Sequence, residues 1–172
     1  ARVWTVTAVT GQTTRALTAL NSAETLTLAG HVNALTGVAW SPDGSRLATA
    51  GRDRVVYVWD AATGEMLFAV RGHSDDVNDV TWSPDGARLL TAADDASARL
   101  WDAHPDSALF TLSHADWVNG ATWSADGMRV LTWSRDGTAR IWDAASGTAL
   151  LSLTHEGWIT GARWSPDGAN VL

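Results

Sequence analysis

From Gly30 onward the chain is a succession of short segments in which apolar and polar side chains alternate or β-branched residues gather, each bounded by Gly, Pro, Asp or Ser. This period of two predicts short antiparallel strands, because successive side chains of a strand point to opposite faces. In the stretch 30–71 the strands fall at roughly 35–40, 46–50, 55–59 and 66–70. Ser-Pro-Asp-Gly at 41–44, 83–86 and 165–168, with Ser-Ala-Asp-Gly at 124–127, supplies the turn between the first and second strands. Proline pre-sets φ at the second turn position, and glycine accepts the positive φ that follows. Ala-Thr-Gly at 62–64 and Ala-Ser-Gly at 145–147 turn the third strand into the fourth, where the intervening unit has His104-Pro105-Asp106-Ser107.

The same pattern recurs down the chain. Trp40, Trp82, Trp123 and Trp164 stand at steps of 42, 41 and 41, each with a histidine nine residues upstream: His31, His73, His114 and His155. Trp59-Asp60, Trp101-Asp102 and Trp142-Asp143 each follow the first tryptophan by 19 residues. Self-similarity at about 40 to 45 residues, with one His and one Trp-Asp per unit, is the mark of a propeller blade, and the chain resembles the WD-repeat family, particularly tandem arrays of bacterial type. The resemblance implies an all-β fold, a β-propeller of four-stranded antiparallel blades with about four blades encoded. The units are 30–71, 72–112 and 113–153, with 154–172 the start of a further repeat and 1–29 a partial strand pair of a shared blade carrying an irregular insertion. Since this family usually closes with more blades, two copies sharing a ring, or the remainder of a longer chain, are the expected ways to complete it.

The two ends read as complementary. Ala1-Arg2-Val3-Trp4 matches Ala139-Arg140-Ile141-Trp142, with Thr5 in place of the Asp, whereas Leu172 aligns with Leu131. About a dozen extra residues lie between Thr10 and Glu24, and Glu24–Leu28 alternates like an outer strand. We expect the first strands of this chain, or of a second copy, to pair with strands at 159–164 and 170–172, which would remove exposed sheet edges.

Each full unit carries a His, a Thr, an Asp and a Trp at fixed offsets: His31, Thr49, Asp53, Trp59; His73, Thr91, Asp95, Trp101; His114, Thr132, Asp136, Trp142. The family resemblance implies a structural tetrad, in which carboxylate, imidazole, hydroxyl and indole satisfy one another in the interior. The enzymatic alternative is a His-Asp-hydroxyl triad for acyl transfer, but three identical sets suit a repeated structural task better than one active centre. Trp40, Trp82, Trp123 and Trp164 are expected to pack between neighbouring blades, and Trp133 replaces the small Ala50 and Ala92 of its sister units. No zinc spacing, phosphate loop or calcium loop stands out, so no catalytic residue, metal or cofactor is expected.

Composition narrows the function. With 45% hydrophobic and 18% charged residues the chain reads as an ordinary globular protein. A formal charge of -7 argues against a binder of nucleic-acid backbones, and no apolar run is long enough for a membrane helix. The absence of cysteine fits a reducing, cytoplasmic setting.

Three positions vary between units at one rim: three and five residues after each His, and one before each tetrad Asp. They are Ala34, Thr36 and Arg52; Asp76, Asn78 and Asp94; Trp117, Asn119 and Arg135; and Trp158 with Thr160. In the family such positions face a frequent protein-binding surface, and Trp and Arg are the residues that most often anchor interfaces. Trp117 and Trp158, flanked by Arg135, are therefore the candidate partner site. The expected function is a non-catalytic scaffold, sensor or docking module for protein or peptide, part of a larger signalling protein or self-associating. A self-assembling amplified repeat without a dedicated ligand, and a propeller enzyme, are the alternatives.

Overall fold

A computed structural model of the chain describes residues 7–9, 15–21, 24–103 and 108–172. Within them the regular structure is all strand. Three four-stranded antiparallel sheets follow one another: β4 (Leu35–Trp40), β5 (Arg46–Gly51), β6 (Val55–Asp60) and β7 (Met66–Arg71); β8 (Val77–Trp82), β9 (Arg88–Ala93), β10 (Ser97–Asp102) and β11 (Ala108–Ser113); β12 (Val118–Trp123), β13 (Arg129–Ser134), β14 (Thr138–Asp143) and β15 (Ala149–Thr154). Before them β1 (Thr7–Val9), β2 (Arg15–Asn21) and β3 (Glu24–His31) form a three-stranded sheet, and after them Trp164 bridges Val171. The strands of the first full unit lie within a residue of those expected from alternation. Where about four blades were expected, the described residues hold three complete ones, with a smaller sheet ahead of them and the opening pair of a fourth behind.

Local chemistry explains the short connections. In the first Ser-Pro-Asp-Gly turn the Ser41 hydroxyl donates to Asp43 at 2.6 Å and accepts from the Arg46 amide at 2.9 Å, while Gly44 takes a φ of 70°. The turn is closed by its own side chains, which explains its recurrence at each junction of first and second strands. The turn after each tetrad Asp also needs a left-handed residue: Gly137 supplies one at φ 77°, but Arg54 and Ala96 adopt 67° and 60° as non-glycines.

Apolar clusters lie between consecutive sheets. Ala48, Ala50, Val56 and Val58 of the first sheet pack with Val77, Val80, Trp82 and Trp101 of the second. Leu90, Ala92, Leu100 and Leu112 of the second pack with Val118, Trp123, Val130 and Trp142 of the third. Each innermost-strand tryptophan thus faces the preceding sheet: the Trp82 indole N–H donates to the Ala39 carbonyl at 3.1 Å. Trp40 departs from the expected burial and is 37% exposed; among the described residues the sheet ahead of its own has three strands. An arginine reinforces each junction. Arg46 lies over the Trp82 ring at 4.6 Å and donates to the carbonyls of Gly86 and Ala103; Arg88 donates to Ala144 and Arg129 to Gly168.

The head strands β1–β3 pair with one another. Among the described residues none of them pairs with 159–164 or 170–172; residues 1–6, on which the match to Ala139–Trp142 rests, lie outside the described part, as do Thr10, Gly11 and the 104–107 turn.

Candidate interaction rim and the tetrads beneath it

The tetrad residues are brought together once per sheet. The histidine ends the segment entering a blade, the threonine sits mid-strand on the second strand, the aspartate in the following turn and the tryptophan on the third strand. In the second blade His73 Nδ1 is 2.9 Å from Asp95, His73 Nε2 is 2.6 Å from the Thr91 hydroxyl, and the Trp101 indole donates to that hydroxyl at 2.9 Å. The first blade repeats this with His31–Asp53 at 2.8 Å, His31–Thr49 at 2.9 Å and Trp59–Thr49 at 2.9 Å. The third does so with His114–Asp136 at 2.9 Å, His114–Thr132 at 2.7 Å and Trp142–Thr132 at 2.8 Å.

The proton arrangement follows from what each group is able to do. An indole N–H only donates, so the threonine oxygen accepts from it and directs its own hydrogen to Nε2. The imidazole then donates from Nδ1 to the carboxylate. Burial would raise the Asp95 carboxyl, but the hydrogen bonds from His73, Ser97 and the Ser74 amide outweigh it and hold the group well below the usual range. Asp136 behaves alike, with the Ala115 amide, Thr138 and His114 overcoming burial. Burial lowers His114 below the ordinary histidine range against the opposing pull of Asp136, in keeping with an unprotonated Nε2. All three threonine hydroxyls are buried, with 0% exposure, and are bonded on both sides.

The rim lies above the tetrads, and one backbone contact per blade defines it. The amide one residue before each tetrad Asp donates to the carbonyl three residues after the His: Arg52 to Ala34, Asp94 to Asp76 and Arg135 to Trp117, at 2.8, 2.9 and 2.9 Å. The next rim residue sits where the innermost strand loses register, between Leu35 and Gly37, Val77 and Asp79, Val118 and Gly120. A bulge re-aims its side chain, here toward the neighbouring blade. Asn78 donates to the Val118 carbonyl at 3.0 Å and Asn119 to that of Ile159 at 2.7 Å, and the Thr36 hydroxyl bonds the Val77 carbonyl.

The variable side chains divide the rim into unlike sectors. Arg52 lies 3.7 Å from Asp76. Asp94 accepts from Asn78 at 2.6 Å; its carboxyl is raised, first by burial, with the charges of Asp75 and Asp76 adding to it. In the last sector the Arg135 guanidinium carbon lies over two indoles, 4.1 Å from the Trp117 ring centre and 4.8 Å from that of Trp158. Trp117 is 38% and Trp158 65% exposed, so both side chains are accessible to solvent. Ala34 is half-buried, and Thr160 lies exposed beside Trp158.

Two features of this end of the blades were not legible from the repeat alone. Gly120 lies opposite Trp133 across β12 and β13, and a Cβ on Gly120 would come within 2.3 Å of the Trp133 ring. The bulky residue is accommodated because its partner is glycine, whereas Ala50 and Ala92 stand opposite Gly37 and Asp79. Asp79 in turn lines a cavity of about 710 Å³ with Trp133 and Arg163, and burial raises its carboxyl despite hydrogen bonds from the Ala121 and Val80 amides. Among the described residues no cluster of three or more His, Cys, Asp or Glu side chains is arranged to hold a metal ion.

Sequence comparison gives the arrangement its relatives. Residues 22–60, 64–102 and 106–143 each match the WD domain, G-beta repeat. A 44-residue stretch is 50% identical to the small ribosomal subunit protein RACK1z of Arabidopsis thaliana, covering 26% of this chain and 14% of that protein. A 37-residue stretch is 57% identical to protein Mut11 of Chlamydomonas reinhardtii, covering 22% of this chain and 10% of the relative. The matches thus span a small part of each relative's length. With three repeats matched over more than half of its residues, and with those repeats folded as four-stranded antiparallel blades, the chain belongs to the WD40 repeat family.

Proposed function

We propose that the chain is a non-catalytic platform for protein partners and that the sector formed by Trp117, Arg135 and Trp158 is its contact site. The observation that carries this reading is the pair of exposed indoles that share one guanidinium, that of Arg135. Large aromatic side chains exposed together on a rigid scaffold supply contact area with little further ordering, and Trp and Arg dominate interface energetics. A scaffold role for the tetrads supports the same reading. Their hydroxyls are enclosed and bonded on both sides, so an acyl carbon has no approach to them. Membership of a repeat family shared with small ribosomal subunit proteins supports an interaction platform in general terms, and the cytoplasmic setting expected from composition belongs to the same proposal.

The test is a pull-down with the chain as bait and identification of what it retains. Trp117→Ala with Trp158→Ala is expected to abolish retention of a partner captured by the unmodified chain while moving Tm little, since exposed side chains contribute little to stability. Unchanged retention would refute the assignment of the site. A large fall in Tm would identify the indoles as packing.

A second reading, association of blades between copies, is favoured by β15. Leu151 and Leu153 are 49% and 39% exposed, whereas their counterparts Phe110 and Leu112 in β11 pack against the third sheet. A discrete dimer in a solution mass measurement would support it.

A further inference from the structure

We infer that the Trp117–Arg135–Trp158 stack binds a carboxylate of a partner's peptide segment on the open edge of the guanidinium. The inference rests on the rim being the contact site and adds the chemistry of what it contacts.

The first argument is geometric. The Trp117 and Trp158 rings both lie close to the guanidinium carbon, and the N–H donors of an arginine lie in the guanidinium plane. Nε donates to the side-chain amide oxygen of Asn119 at 3.4 Å, and among the described residues neither Nη makes a hydrogen bond or ion pair. A planar donor edge beside two rings matches the two oxygens of a carboxylate, which such a fork binds bidentately.

The second argument is an internal comparison. At the first and third junctions the residue before the tetrad Asp meets the residue three after the next His. At the first junction that pair is Arg52 and Asp76, an arginine already offset by a carboxylate at 3.7 Å. At the third it is Arg135 and Trp158, and the ring takes the place of the counter-ion. Among the described residues no carboxylate forms an ion pair with Arg135: Asp94, on which the Arg135 charge acts, accepts from Asn78, Asp136 pairs with His114 and Arg140, and Asp116 accepts from the Trp117 amide. A guanidinium that makes no ion pair among the described residues is the feature the partner's anion would complete.

The third argument selects carboxylate over phosphate. A phosphate dianion calls for a cluster of arginines, and here the sector holds Arg135 while Arg52, two junctions away, is paired. One planar fork suits one singly charged, planar acceptor.

The experiment uses the full chain labelled with 15N and three otherwise identical short peptides carrying Glu, Gln or phosphoserine at the central position. The Glu peptide is expected to shift the Arg135 Nε–H and the Trp117 and Trp158 indole N–H resonances, and to bind about tenfold tighter than the Gln peptide, the difference expected of one charge-assisted hydrogen bond. Arg135→Lys, which keeps the charge and removes the fork, is expected to lose that preference. Trp158→Asp, which installs at this junction the residue that neutralises Arg52 at the first, is expected to abolish Glu-peptide binding with Tm unchanged. Equal affinity for Glu and Gln peptides, tighter binding of phosphoserine, or no shift up to about 1 mM peptide would each overturn the inference. Loss of protein capture in the Trp117/Trp158 double alanine variant alongside such a result would leave the platform reading standing and remove only the anion chemistry.

Discussion

The threonine at the centre of each tetrad is the sharpest place to test whether hydrogen bonding or packing holds a blade together. Thr91 is the best of the three, since its sheet is flanked on both sides by another complete one and its side chain is fully buried. Thr91→Val replaces the hydroxyl with a methyl of similar size, so it opens no cavity. It strands two buried groups: the Trp101 indole N–H and His73 Nε2, now 2.9 and 2.6 Å from the hydroxyl. At about 1–3 kcal/mol for each unsatisfied group the expected loss is about 2–6 kcal/mol. For a chain of 172 residues that corresponds to a fall in Tm of roughly 5–20 °C. Thr91→Ser does the opposite, keeping the hydroxyl and deleting one buried methyl, and should cost about 1 kcal/mol. Urea unfolding followed by far-ultraviolet circular dichroism measures both. If Thr91→Ser is as damaging as Thr91→Val, or if Thr91→Val is neutral, the hydroxyl is not the clasp described here.

Two further perturbations probe local features. Ala96 holds φ 60° where Gly137 holds 77° in the next unit, so Ala96→Gly should raise stability by up to about 1 kcal/mol in thermal melts; Gly137→Ala should lower it, with the added Cβ only 3.0 Å from the His155 carbonyl oxygen, and a loss in the first or a gain in the second would refute the strain argument. For Asp79, burial raises the folded-state carboxyl above its unfolded value, so the folded state binds the proton more readily and the aspartate's penalty is present at neutral pH and relieved as pH falls through the raised folded value toward about 3.9. Asp79→Asn should therefore raise Tm by a few degrees at pH 7, and the gap from the unmodified chain should close on acidification; a gap that is constant with pH would mean that desolvation of this carboxylate is not what the substitution relieves.

Much of the architecture is legible in the chain because its signals are local. Period-two alternation places β4 to β7 within a residue, and Ser-Pro-Asp-Gly marks a turn whose closing bonds all lie between residues 41 and 46. The spacing of His, Thr, Asp and Trp likewise anticipates groups that the strands bring within hydrogen-bonding distance. What escapes the sequence depends on register between strands or on contact between blades. That Trp133 is admitted by Gly120 is visible only once the two are known to stand opposite each other. Arg46, Arg88 and Arg129 follow each Asp-Gly turn by two residues, a signal present in the chain but without meaning until their guanidinium groups are seen reaching the next blade. Trp40 reads like its three counterparts yet is more exposed, since burial is set by the neighbouring sheet and not by the residue.

The separation of constant from variable positions has an energetic cause that also bears on where recognition lies. A change at Thr49, Thr91 or Thr132 strands buried polar groups, a loss comparable to a large part of a domain's net stability. A change at Trp158 or Arg52 alters side chains that are mostly in solvent, where substitutions usually shift stability by about 0.5 kcal/mol or less. The fold thus restrains the tetrads in every unit and leaves the rim free to differ from unit to unit. Freedom alone would scatter residue types at random, but a stack needs three matched choices at one junction: an arginine before Asp136, an aromatic residue three after His114 and another three after His155. It is assembled from two successive units, Trp117 and Arg135 in one and Trp158 in the next, so neither unit builds it without its neighbour. The contact site we propose therefore falls at the junction between blades, where variation carries little stability cost and where two repeats together set the spacing of the exposed groups.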